Sequence, residues 1–241
     1  MTTFVLVHGS WHEGTAWDAT RRSLEHEGHR TLAPTMAGHG KKADKKVNHA
    51  DCTRSIVEAI VANDLRDMVL TGHSFGGTVI CKVAEAIPER VRRMVFVNGF
   101  VLRDGCSLTD EVPPQTAAVF SEMARKSADN TFMIPFPVWR ETFVNDADLE
   151  TAKWAYEQLS AEPFQPTADK LDLKKFYSLS IPRSYINCTE DIALPPGEWG
   201  WHPRMSGRLG LYRLVQMPGG HEVMYTNPEL LARKIIEAGR D

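Results

Sequence analysis

Short apolar runs alternate with longer amphipathic stretches along most of this chain. Phe4-Val-Leu-Val-His8 has the length and character of a buried strand, and a helix is predicted from about Ala16 to Glu27. His29-Arg-Thr-Leu-Ala33 reads as a second strand, ended by Pro34. Asp51 is placed to cap a helix running to about Ala62. The apolar run from Asp67 to Gly72 predicts a third strand, and the stretch from Thr78 continues as a helix that stops at Pro88. Arg93-Met-Val-Phe-Val97, Arg183-Ser-Tyr-Ile-Asn187 and Leu211-Tyr-Arg-Leu-Val-Gln216 complete six strands, and Pro228 opens a final amphipathic helix. Strands joined by helical crossovers predict an α/β fold, a doubly wound, mainly parallel six-stranded sheet.

The alternation breaks between about residues 103 and 177. That stretch carries helical patterns over Thr116–Lys126 and Asp146–Leu159, but it has many prolines and no good strand. An insertion of this size after a central strand predicts a helical cap over the sheet's carboxyl edge, where doubly wound folds bind ligands. One domain spanning residues 1–241, with the cap inserted in it, is the expected organisation.

Composition narrows the function. With 241 residues, 42% hydrophobic and 24% charged, the chain is long enough for a sizeable core. A net charge of −3 gives no electrostatic case for nucleic acid or an anionic membrane. The only basic run, Lys41-Lys-Ala-Asp-Lys-Lys46, reads as a solvated loop. Cys52, Cys81, Cys106 and Cys188 show no paired spacing and suggest reduced thiols. No apolar run is long enough to span a membrane, and the first residues lack the pattern of a secretory leader. A cytoplasmic protein is therefore expected, with a homodimer left open.

The candidate chemistry lies in Gly72-His-Ser-Phe-Gly-Gly77, between a strand and a helix. Glycines at this spacing permit a tight turn that lifts the Ser74 hydroxyl clear of the sheet, as a nucleophile requires. A serine hydroxyl needs a base, and the base needs an orienting acid. His221 lies in a loop between the last strand and the last helix, behind two glycines that let the loop bend back. His202 is the only other histidine after Ser74, and it sits within a predicted helical connection. Asp191 follows the penultimate strand and is the preferred acid, with neighbouring Glu190 left as a surface carboxylate. The backbone N–H groups of Ser10 and Phe75 are the expected oxyanion donors. His8 and His12 lack a helix that would bring them to one face, so no metal or cofactor is expected.

Together, Phe4-Val-Leu-Val-His-Gly-Ser-Trp-His-Glu-Gly14, Gly72-His-Ser-Phe-Gly-Gly77, Cys188-Thr-Glu-Asp191 and Gly219-Gly-His221 resemble the plant methylesterase and hydroxynitrile lyase branch of the α/β-hydrolases. The resemblance runs nearly end to end and is weakest in the cap. It implies a helical-capped hydrolase that starts at the third strand of the full fold. In that branch the lyases carry a threonine after the first-strand histidine and a lysine after the catalytic one. Gly9 and Glu222 stand there in this chain, which favours an esterase. Related bacterial hydrolases act on pyrethroid and carbamate esters, so a small aromatic or heteroaromatic ester is the expected substrate. Trp11, His12, His73, Trp139, Phe143 and Trp154 are the candidates to line its pocket, and Trp199 and Trp201 could also stack on an aromatic ring. A cofactor-independent dioxygenase and a low-turnover ligand receptor are rival readings on the same fold.

Overall fold

A computed structural model describes all of residues 1–241. Six strands form one fully parallel sheet: β1 (Thr3–Val7), β2 (Arg30–Leu32), β3 (Met68–His73), β4 (Val91–Val97), β7 (Arg183–Cys188) and β8 (Tyr212–Met217). Two further strands of two residues each, β5 (Thr131–Phe132) and β6 (Glu162–Pro163), pair antiparallel within the insertion, where the sequence predicts none. Strands this short carry no readable alternation.

The sheet order is β2-β1-β3-β4-β7-β8. Successive side chains of each strand point to opposite faces, and they sort accordingly into two apolar clusters. Val5, Val7, Leu70, Met94 and Phe96 pack with Ile56 and Ile60 of α2 (His49–Ala62) and with Val79 and Ile80 of α3 (Gly76–Ala86). Phe4, Leu6, Val69, Val95 and Val97 face Leu24 of α1 (Asp18–His26) and Leu231 and Ile235 of the Pro228–Gly239 helix. Each such side chain, fully buried, contributes about 1.5–3 kcal/mol. Helices therefore cover both faces, as a sheet of continuous apolar strands requires.

One helix start differs from expectation. Asn48, not Asp51, caps α2: the Asn48 side chain accepts from the Asp51 N–H, and the Asp51 carboxylate accepts from the Asn48 N–H. This is a reciprocal capping box, with Asp51 in its third position.

The segment between β4 and β7 holds α4 (Pro114–Lys126), the Leu149–Gln158 helix and several single turns. Phe132, Ile134, Trp139, Val144 and Ala152 give it an apolar cluster of its own, joined by Trp11 from the loop after β1. From Leu171 onward the chain rejoins the main core, where Leu173 and Phe176 pack.

Candidate active site

The strand order reverses between β1 and β3, which leaves a crevice at their carboxyl ends. Ser10 follows β1, Ser74 follows β3, Asp191 follows β7 and His221 follows β8. One sheet edge thus gathers residues from four distant parts of the chain.

Ser74 has φ of 52°, the left-handed region that a non-glycine residue occupies under constraint. The turn is held on both sides: Ser74 N–H donates to Val97 O at 3.3 Å, and Ser74 O accepts from Gly77 and Phe100 N–H at 3.0 Å each. Gly76 is obligatory, because a Cβ there would lie 2.5 Å from His8 O and 2.6 Å from Val7 O. A side chain at Gly72 would likewise strike Gly76 O. The helix that begins at Gly76 carries the chain away and leaves the hydroxyl at the mouth of the crevice.

His221 Nε2 lies 3.0 Å from Ser74 Oγ, and His221 Nδ1 lies 2.6 Å from Asp191 Oδ2. A carboxylate only accepts, so the network assigns the proton to Nδ1 and leaves Nε2 free to accept from the hydroxyl. Asp191 is itself fixed: Ala193 N–H donates to Oδ1 at 2.8 Å, and the Asn98 amide donates to Oδ2. Burial works against a charge on His221, yet the Asp191 charge and hydrogen bond, with Glu222 adding, outweigh it and raise the imidazole pKa above 6.5. His8 and His73 go the other way, because burial first and neighbouring histidines second push both well below the usual value.

Neither Ser10 N–H nor Phe75 N–H donates to any other group of the protein. Both sit beside Ser74, one in the loop after β1 and one at the next residue. Two free donors flanking a hydroxyl are what a developing oxyanion requires.

The site opens into a cavity of about 510 Å³. Trp11, Phe100, Phe120, Phe143 and Trp201 are among the side chains that line it, and none of the lining residues is Lys, Arg, Asp or Glu. Trp11 and Phe143 are thus where the sequence places them. Four expected pocket residues lie elsewhere. Trp154 is half exposed on the outer surface against Tyr225, because its helix turns its small Ala152 and Ala155 inward. Trp139 is fully buried in the insertion's own cluster, its indole N–H donating to Ala152 O. His73 lies beneath the site and donates from Nε2 to His221 O at 3.0 Å. His12 is buried behind the Ser10 loop, 3.3 Å from Glu222. Trp199 also lies outside the cavity, against Arg204. Asn98 was not singled out from the sequence; its place at the end of β4, next in the sheet to β7, was the available signal.

His73, His221 and Glu222 each bring a ligand atom within 4.8 Å of the others. Both nitrogens of His221 and Nε2 of His73 have partners, whereas His73 Nδ1 and Glu222 Oε2 are buried without one.

This chain belongs to the alpha/beta hydrolase family, whose model matches residues 4–234. It is 31% identical to the carbendazim hydrolyzing esterase of Nocardioides sp. (strain SG-4G), over 99% of this chain and 100% of that one. Among solved structures, an extracellular alpha/beta-hydrolase from a Paenibacillus species, described as sharing structural and functional homology with tobacco Salicylic Acid Binding Protein 2, superposes with a TM-score of 0.98. It is 43% identical, and the match covers 100% of both chains. A pyrethroid hydrolase from Sphingobium faniae JZ-2 superposes with a TM-score of 0.79 at 25% identity, covering 99% of this chain and 97% of that one.

Proposed function

We propose that the protein is a cofactor-free serine hydrolase of small carboxylic or carbamate esters with aromatic or heteroaromatic groups. The observation that carries this reading is the hydrogen-bonded line from Ser74 through His221 to Asp191, opening onto an uncharged cavity. Ser74 Oγ attacks the ester carbonyl while His221 Nε2 takes its proton. Asp191 holds the resulting imidazolium, and the N–H groups of Ser10 and Phe75 receive the oxyanion. His221 then protonates the leaving alcohol or amine. A water molecule, activated by the same imidazole, releases the acyl or carbamoyl group from Ser74.

The names of the relatives supply the substrate classes, and the cavity supports them. Its aromatic and aliphatic walls suit a flat apolar group, and it offers no cation to an acid. The inserted segment acts as the cap, since Phe132, Ile134 and Phe143 wall the cavity from that side. A lyase is disfavoured by Gly9, where a Cβ would stand 2.9 Å from Ser74 Cβ, and by Glu222 in place of a lysine. Four free cysteines support a cytoplasmic location. The extracellular Paenibacillus relative argues the other way, and fractionation of the native host decides between them. No helix is long and apolar enough to cross a membrane.

Ser74→Ala is the test. Hydrolysis of p-nitrophenyl acetate should fall to background while the fold is retained, and continued turnover would refute the assignment. Oxygen uptake without ester cleavage would select the dioxygenase reading instead.

A further inference from the structure

The peptide joining Ser10 to Trp11 is held at both polar ends by buried side chains outside the cavity. Its carbonyl, on Ser10, accepts from His12 Nδ1 at 2.6 Å. Its N–H, on Trp11, donates to Glu162 Oε2 at 2.7 Å. A peptide is a rigid plane, so fixing both ends fixes its rotation and limits the direction in which the Ser10 N–H can point. The following peptide is held too, because Trp11 O accepts from Ser160 N–H at 2.9 Å. Trp11 has φ of 65°, a conformation that so large a residue keeps only when its surroundings enforce it.

Each anchor has a second buried neighbour of the complementary type, hydrogen-bonded in the His39–Glu162 pair and only within ion-pair distance in the His12–Glu222 pair. His12 Nε2 lies 3.3 Å from Glu222 Oε2, and His39 Nε2 lies 3.1 Å from Glu162 Oε2. None of these four side chains is more than 2% exposed. His39 Nδ1 donates to Ala37 O at 3.0 Å, as His12 Nδ1 does to Ser10 O. Glu162 lies on β6 of the inserted segment, and Glu222 directly follows His221. The Ser10 loop is therefore hydrogen-bonded to the insertion on one side and set against the His221 loop on the other.

We infer that Glu162, backed by His39, is a positioning residue for the Ser10 oxyanion donor, so that the inserted segment shapes the transition state as well as enclosing the substrate. The inference rests on the oxyanion role proposed above for Ser10. Without Glu162 the buried Trp11 N–H loses its acceptor, the peptide is free to rotate, and the Ser10 N–H leaves its line. Ground-state binding comes from the apolar side chains that wall the cavity, and Glu162 is not itself one of them. Transition-state stabilisation is then lost while substrate binding is kept.

Kinetics of the full chain on p-nitrophenyl acetate test this with three variants. Glu162→Leu should lower kcat at least about tenfold, approaching the roughly 10²–10³-fold of a lost oxyanion donor, with KM within about threefold. In Glu162→Gln, the amide oxygen still accepts from Trp11 N–H, and the amide NH₂ can donate to a neutral His39. Its kcat should recover to within about threefold of the parent. Glu162→Leu with His39→Leu replaces the whole buried pair by apolar groups, so that no unpaired His39 is left behind while the Trp11 N–H still lacks its acceptor. Its kcat should stay low while Ser74 is still labelled stoichiometrically by a p-nitrophenyl phosphonate. A double variant with parental kcat, a Gln variant as impaired as the Leu variant, or a KM that rises in step with the loss would each overturn the inference. If Ser74→Ala itself remained active, the failure would instead be that of the underlying hydrolase reading.

Discussion

The indole of Trp201 lies flat over the imidazole of His221, with ring centroids 5.1 Å apart and planes inclined by 17°. Trp201 also lines the cavity, so one side chain both walls the substrate space and shields one face of the proposed base. A ring stacked on an imidazolium stabilises the charge that His221 carries in the transition state, an effect of about 0.5–2 kcal/mol. Trp201→Ala should therefore lower kcat by roughly 2- to 30-fold. The indole N–H is buried and has no partner, so Trp201→Phe forfeits no hydrogen bond and should recover most of the loss. Steady-state kinetics of the two variants check this, and parental kcat in Trp201→Ala would show that the stack plays no part.

The pH profile follows from the direction of the His221 shift. His221 works as a base only when neutral, and its pKa lies above 6.5 in the folded protein. The acidic limb of kcat/KM should accordingly have its midpoint above 6.5, with activity rising as pH rises. Glu222 contributes to that elevation, so Glu222→Gln should move the limb to lower pH. The stability sign is opposite to the activity sign. A raised imidazole pKa stabilises the fold below the unfolded value, and that contribution fades as pH climbs through the folded one. Parallel profiles of kcat/KM and of Tm would show the two trends crossing. A limb centred below 6.5 would contradict the charge balance described for Asp191, Glu222 and His221.

Gly9 stands where the resemblance gives the lyases a threonine. A Cβ at that position would lie 2.9 Å from both Ser74 Cβ and His73 Nδ1. His73 is clamped beneath the site by its bond to His221 O, so neither neighbour yields cheaply. Gly9→Thr should cost about 1–3 kcal/mol of stability through overpacking and should displace Ser74. Esterase activity should fall by more than about tenfold, the effect expected when a nucleophile moves by a fraction of an ångström, with no cyanohydrin cleavage gained. Retained esterase activity would mean that the crevice between β1 and β3 is more compliant than its packing implies.

The strands were legible because each side of the sheet is covered, which makes them near-continuous apolar runs, and because the turn at Ser74 needs glycines at fixed offsets. His221 and Asp191 were legible from their positions after the last two strands of the main sheet. What the sequence could not show depends on contacts between distant segments. Trp154 and Trp201 are alike as letters, but one faces solvent and the other faces the cavity. Glu162 and His39 lie more than a hundred positions apart, and neither has a local pattern that announces the pairing. The short antiparallel pair in the insertion escaped for a related reason, since two residues per strand present no period.

Asn98 supports the acid from a position the sequence did not mark. Its amide donates to Asp191 Oδ2, and its carbonyl oxygen accepts from Cys188 N–H at 3.0 Å. Its φ of 36° is one that asparagine tolerates better than alanine. Asn98→Ala should lower stability by about 1–3 kcal/mol, because the buried Cys188 N–H is left without a partner. It should also reduce kcat, since Asp191 loses one of the donors that aim it at His221. Chemical denaturation and kinetics on one preparation separate the effects. An unchanged kcat in a destabilised variant would limit Asn98 to a structural part.

Charge selectivity is the sharpest consequence of the cavity walls. An ester bearing a free carboxylate would have to leave that charge unpaired among Phe120, Met123 and Phe132, with no Lys or Arg to meet it. Burial of an unpaired ion costs several kcal/mol, which corresponds to a discrimination above about 10²-fold in kcat/KM. p-Nitrophenyl butyrate and the p-nitrophenyl half-ester of succinic acid differ chiefly by that carboxylate, so their ratio measures the penalty directly. Thr116 lines the cavity and is only partly buried, so an arginine there can reach the carboxylate while its stem lies along the wall. Thr116→Arg should raise kcat/KM for the half-ester at least about tenfold and leave the butyrate ester little changed. If the parent enzyme hydrolysed both esters equally well, the acyl group would not lie in this cavity during the reaction.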